Sequence, residues 1–214
     1  MIGCAKLHRS LLRRCGAIIV IHAWIIMPLP SSGSKRVLKH TRSITIEAFT
    51  REDGLWDFDA HITDIKTRDG NLLSGLRAAG EPWHDLWLRV TINTQFLIVE
   101  AQAVSDWVPY PGYCQVVTPS YQALVGLSLM HDFRQQLKQR LGGTAGCTHL
   151  TELAQVLPTA AIQAFAGDVY KLADALEPQA KRPFQIDRCH AMRADGMAVA
   201  QYYPRWVANA PPRS

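Results

Sequence analysis

The chain of 214 residues lacks the short motifs that name a reaction: no GxxxxGK[ST] phosphate loop, no GxSxG elbow, no HExxH helix and no GxGxxG after a strand. Cysteine is also sparse. Of the five, Cys4 and Cys15 fall in the first 26 residues, leaving Cys114, Cys147 and Cys189. An odd, scattered set is a poor disulfide framework and predicts a reducing compartment, the cytoplasm. Acid is missing altogether from residues 1–26, which carry Lys6, Arg9, Arg13 and Arg14. That segment therefore holds four of the five net positive charges, and the remainder is nearly neutral. Phosphate binding needs a clustered basic face. The body offers only Lys35, Arg36, Lys39 and Arg42 as a compact basic run, so nucleic acid is not an expected partner. A long hydrophobic run is lacking too: Gly16–Leu29 is apolar but interrupted by His22 and Pro28, and short of the ~20 residues that cross a bilayer.

What is present is a globular composition, 48% hydrophobic and 19% charged, which excludes disorder and collagen-like chains. The basic, apolar segment 1–26 has the outline of a signal peptide or short anchor, but no small-x-small cleavage site follows it. The preferred reading starts translation at Met27 and places residues 27–214 in the cytoplasm, away from membrane. Membrane association is the alternative if the leader is genuine. Residues 27–41 read as a flexible N-terminal segment, 42–206 as a single α+β domain, and 207–214 as a disordered tail.

Within the body, Ser43–Phe49 and Trp56–Ile62 alternate apolar with polar about the turn Arg51-Glu52-Asp53-Gly54, a hairpin. Residues 66–83 carry loop chemistry, and Leu86–Ile92 and Phe96–Val104 supply two further strands. Helical patterns follow: from Thr118-Pro119 to Gly126, from about His131 to Leu141, and from Gly146 through Leu150, Leu153, Leu157, Ile162 and Phe165, kinked or broken at Pro158. Sheet first and helices after predicts an antiparallel meander of about four strands covered on one face by helices.

Candidate chemistry sits where Cys and His coincide with these elements. Cys147 opens a helix after Gly142, Gly143 and Gly146, where free N–H groups and the dipole favour a thiolate that can act as ligand or nucleophile. His149 is two residues on, so a shared site with Cys147 requires a non-helical first turn. The competing assignment makes Cys147 a packing residue and His149 a surface group. His84 and Asp85 precede a strand, and Asp85 could orient the imidazole or act with Cys147 and His149 in catalysis. Asp57, Asp59 and His61 share one strand face by period two, with Asp64 following, and are preferred as the polar side of a hairpin. Cys189-His190 are adjacent near the C terminus.

Four segments, Arg51–Asp57 (REDGLWD), His84–Ile92 (HDLWLRVTI), Gly146–Leu153 (GCTHLTEL) and Asp187–Ala191 (DRCHA), together resemble a bacterial family of unknown function, DUF2889, over residues 27–206. Members of that family begin with a Met-Pro-Leu sequence like that at Met27, which the segment before Met27 departs from. A weaker resemblance is to the scaffold proteins of iron-sulfur cluster assembly, which hold zinc or a cluster with Cys from three loops plus an Asp and a His. It implies ligand positions at His84-Asp85, Cys114 and Cys147, with His84 standing where the scaffold has its first Cys; thiolates are the ligands clusters favour, so that replacement argues against cluster assembly. The sequence specifies no cofactor; zinc or iron is the option these residues offer, and the candidate ligands are His61, His84, Cys114, Cys147, His149, Cys189 and His190. The geometric expectation is that His84 and Cys147 face one pocket with at least one of His149, Cys114 or Cys189. The expected function is an accessory metal- or sulfur-binding protein. The alternatives are a Cys/His-dependent enzyme acting on a small metabolite and a non-catalytic structural domain.

Overall fold

The computed structural model describes residues 29–171 and 181–208, and the segment 1–26 lies outside the described residues. Contacts divide the chain into Met1–Val37 and Leu38–Ser214. The described part of the first unit holds a short turn in which the Ser34 N–H donates to Ser32 Oγ at 3.3 Å. The second unit is built on a β-sheet.

Its frame is one four-stranded antiparallel sheet of β1 (His40–Thr50), β2 (Trp56–Lys66), β5 (Pro82–Ile92) and β6 (Ile98–Trp107), in the order β1-β2-β5-β6. The expected hairpin forms, its β1–β2 register running unbroken from His40↔Lys66 to Thr50↔Trp56, and the two further strands pair antiparallel as β5 and β6. The loop-like stretch after β2 contains a small second hairpin, β3 (Gly70–Leu72) with β4 (Gly75–Arg77). Its Gly70 lies against Trp83 so closely that a Cβ there would meet the indole at 2.1 Å, which is why the position is bare. No helix among the described residues is long and apolar enough to cross a membrane.

Period two divides the sheet into unlike faces. Trp56, Phe58, Ala60 and Ile62 of β2, with Leu86, Leu88, Val90 and Ile92 of β5, are buried on one side. The other side is laced by cross-strand polar pairs: Arg89 forks onto Asp59 at 2.6 Å and Thr91 donates to Asp57 at 2.7 Å. Helices cover the apolar face, so the architecture is α+β with the helices mostly in the second half. The longest helix among the described residues, α2 (Thr148–Phe165), lies against β1, β2 and β5. Its buried Leu150, Leu153, Ala154, Leu157, Ala161 and Phe165 recur at the three- and four-residue spacing of a single stripe. Phe165 ends the stripe in an aromatic cluster, 5.0 Å from Trp56 and 4.7 Å from Phe96 between ring centroids.

Two helical details differ from the sequence pattern. Pro158 does not break α2: the helix runs through it to Phe165, forgoing one backbone bond, and the buried stripe continues on both sides of it. The Thr118-Pro119 segment is a 3-10 helix beginning earlier, at Gln115, with Pro119 inside it. Inside an α-helix a proline clashes with the carbonyl four residues back, and three-residue bonding, as in the Val125 N–H donating to the Gln122 carbonyl at 3.0 Å, avoids that, while the Thr118 hydroxyl adds a side-chain bond to the Gln115 carbonyl at 2.9 Å. Helix α1 (Phe133–Leu141) buries Phe133, Leu137 and Leu141, the four-residue spacing read in the sequence.

Candidate metal centre

The buried face of β2 ends in an acid. Asp64 keeps the parity of Trp56, Phe58, Ala60 and Ile62, so its side chain points toward the helix layer and is only 3% exposed. A carboxylate in such a place must be paired. Register supplies the partners: Arg42 stands opposite Asp64 on β1 and His84 opposite it on β5, one row across three strands. A register shift between Asp64 and Ile65 marks the point where the row sits, as bulges do beside sites that must re-aim a side chain.

Every lone-pair direction of Asp64 is used. Oδ1 accepts from Arg42 Nε and from His40 Nε2, each at 2.8 Å. Oδ2 accepts from Arg42 Nη2 at 2.8 Å and from His84 Nδ1 at 3.0 Å. Burial works against ionisation here, but the Arg42 and His40 hydrogen bonds outweigh it and hold the carboxyl at about 2. His84 is also pushed down, below the ordinary imidazole value, first by burial and then by neighbouring His149.

Helix α2 delivers the third group. Cys147 caps it in an extended conformation (φ −95°, ψ 132°), so the helix proper starts at Thr148, and His149 reaches back over the sheet. The His149 ring lies 3.7 Å from that of His84, tilted by 31°, with Nε2 3.6 Å from Asp64 Oδ2. One ligand atom from each of Asp64, His84 and His149 falls within 4.8 Å of the others. One turn along, Glu152 accepts from the remaining Arg42 nitrogen, Nη1, at 2.6 Å.

The cap conformation also decides where Cys147 goes. Its Sγ is 4.0 Å from His149 Nδ1, on the side of the imidazole away from Asp64. The Cys147 N–H donates to Tyr121 Oη at 3.0 Å, and the Tyr121 hydroxyl, buried with a pKa raised by that burial, lies 2.9 Å from the Cys147 carbonyl. Desolvation opposes the Cys147 thiolate, yet His149 and the N–H groups of Leu150 and His149 prevail, so the thiol pKa is lowered although no capping hydrogen bond is formed.

The other candidates lie elsewhere. His61 and Asp85 face the opposite side of the sheet, bound to each other at 2.7 Å, with His61 stacked on Trp87 at 3.7 Å. Cys114 is half-buried against the main core, a free thiol. Cys189 and His190 are exposed in a C-terminal stretch with its own small core of Ile186, Ala194 and Val199. The sequence reading therefore missed Asp64, Arg42, His40 and Glu152 as members of the cluster. The signal for Asp64 was its parity, an acid on the apolar face of its strand; for Glu152 it was the three-residue step from His149 along one helix face.

No curated protein and no solved structure matches the chain. A family model does, over residues 40–163, a span that contains Arg42, Asp64, His84, Cys147, His149 and Glu152, and the chain thereby belongs to the family described as protein of unknown function (DUF2889).

Proposed function

We propose that this is a metal-binding protein that holds one divalent transition-metal ion, zinc or iron(II), on Asp64, His84 and His149. The observation that carries the reading is the meeting of three ligand atoms within 4.8 Å from three separate elements, β2, β5 and α2. Two imidazoles and one carboxylate suit zinc and non-haem iron(II). Three protein ligands also leave coordination positions open, the arrangement of a working or carrier site rather than a closed structural one. Protonation states support it: the Asp64 carboxyl, at about 2, is ionised near neutral pH, and the lowered His84 pKa favours neutral imidazole. Cys147 acts from outside the ligand set, its sulfur accepting from His149 Nδ1 and leaving Nε2 for the ion. Free cysteines fit a reducing compartment, and we place the protein in the bacterial cytoplasm.

The test is elemental analysis of the full, untagged chain after incubation with zinc or, without oxygen, iron(II), followed by desalting. One ion per chain is expected. Separate His84→Ala and His149→Ala variants that remain folded by circular dichroism should retain less than a tenth of it. Absence of bound ion in the wild type, or full retention in both variants, overturns the reading.

A second reading is favoured by one contact, the 4.0 Å approach of Cys147 Sγ to His149 Nδ1 at a helix start, the geometry of a thiol nucleophile and its base. Cys147→Ser separates the two. The metal reading has the variant keep its ion, whereas a nucleophile would be lost with no effect of metal on the wild-type thiol's reactivity.

A further inference from the structure

Asp64 cannot present an oxygen to an ion without a change in what already holds it. The oxygen that faces His84 and His149 is Oδ2, and Arg42 Nη2 is bound to it at 2.8 Å. We propose, resting on the metal reading above, that Arg42 is a cationic gate: it occupies Asp64 while the ion is absent and is handed over to Glu152 when the ion enters, so that Arg42 and Glu152 set the affinity of the site.

Three features favour a gate over a fixed support. Arg42 lies on the edge strand β1 with its side chain 33% exposed, so the guanidinium has room to turn. Its third nitrogen already touches Glu152 Oε2 at 2.6 Å, so a second carboxylate stands ready and the charge need not return to water unpaired. Asp64 would not be left loose either, because His40 Nε2 holds Oδ1 at 2.8 Å from the other side. Charge points the same way. Of the carboxylate and guanidinium charges alone, Asp64, Glu152 and Arg42 sum to minus one, and a dication turns the cluster to plus one. Without Arg42 the same entry runs from minus two to neutral. Two cations at one carboxylate oxygen repel at a distance where screening by solvent is weak. An arginine that merely oriented the ligand would have the opposite signature, since removing such support weakens binding.

The experiment is a competition titration of zinc against a chromophoric chelator with the full, untagged chain. Arg42→Ala, and Arg42→Gln as a longer neutral variant in case the first is unstable, should bind zinc at least tenfold more tightly than wild type. Glu152→Gln, which touches no bond to Asp64, should bind several-fold more weakly. In the Arg42→Ala background the Glu152→Gln effect should shrink, because the handover is gone and only the through-space attraction of Glu152 for the ion is left. Weaker or unchanged zinc binding in both Arg42 variants overturns the gate while leaving the metal reading intact, and so does a Glu152→Gln effect that persists undiminished without Arg42. If wild type takes no zinc but Arg42→Ala does, Arg42 blocks the site instead of gating it, and the handover fails together with the metal reading of the wild-type chain. If none of the proteins takes zinc, both fail.

Discussion

Asp64 is a buried carboxylate kept charged by its neighbours, and that makes it a source of pH-dependent stability. Its folded-state value of about 2 lies below the ordinary 3.8. A depressed carboxyl contributes stability that is fully present above the unfolded value and is lost as pH falls through the folded one. The shift corresponds to roughly 2 kcal/mol. For metal-free protein, the gap in unfolding free energy between wild type and Asp64→Asn should therefore narrow by about that amount between pH 6 and pH 2. Denaturant titrations at a series of pH values would show it, and a constant gap would refute the pairing. Cys147 offers a second residue-level check. Because its thiol is pulled below the ordinary 9.0, alkylation followed by mass spectrometry should have its midpoint below that pH at Cys147. His149→Ala should move the midpoint upward. The favoured thiolate was legible as a helix start after glycines, but the dependence on His149 was not, because the extended cap that turns Sγ toward His149 is a backbone geometry.

Element by element, α2 joins the two ends of the molecule's chemistry, with the polar cluster at its first turn and the aromatic cluster at its last. Its stripe of buried residues was legible as periodicity, and so was the stripe of α1. Pro158 was not, since a proline's effect depends on which side of the helix it occupies and on what packing remains. Phe165 is fully buried among Trp56, Phe58 and Phe96. Phe165→Ala should cost about 3–5 kcal/mol in chemical denaturation, the range for truncating a buried aromatic ring. A loss below 1 kcal/mol, roughly the figure for a site that collapses without a cavity, would show that α2 is not anchored there. The polar cluster should survive that change if the variant remains folded, because His149 and Glu152 hold the other end.

For the whole molecule, sheet order sets the hierarchy of stability. Strands β2 and β5 are central and bury the apolar face, whereas β1 is an edge strand exposed along nearly all of its length. Hydrogen exchange read by mass spectrometry should find the slowest amides in β2 and β5 and markedly faster exchange in β1. Faster exchange in β5 than in β1 would contradict this frame. The same experiment with zinc bears on the site: an ion shared by β2, β5 and α2 should slow exchange at the start of α2.

The amino-acid sequence alone determined the family, the antiparallel strands and the helices laid over them, because period two and period 3.6 are properties of local backbone geometry. It also singled out His84 and His149, which lie within motifs. What only the tertiary structure decided is which of the titratable residues meet. Asp85 was read beside His84 as a group that orients it, yet the alternation of its strand sends it to the opposite face of the sheet, where it pairs with His61, a residue preferred from the start as part of the polar side of its hairpin. Asp64 and Arg42 lie in different strands, and their union depends on β1 pairing with β2 so that 42 stands opposite 64. A strand's parity is written in its own residues. The neighbour that parity meets is written in pairing between segments distant in the chain, and burial then turns that meeting into chemistry.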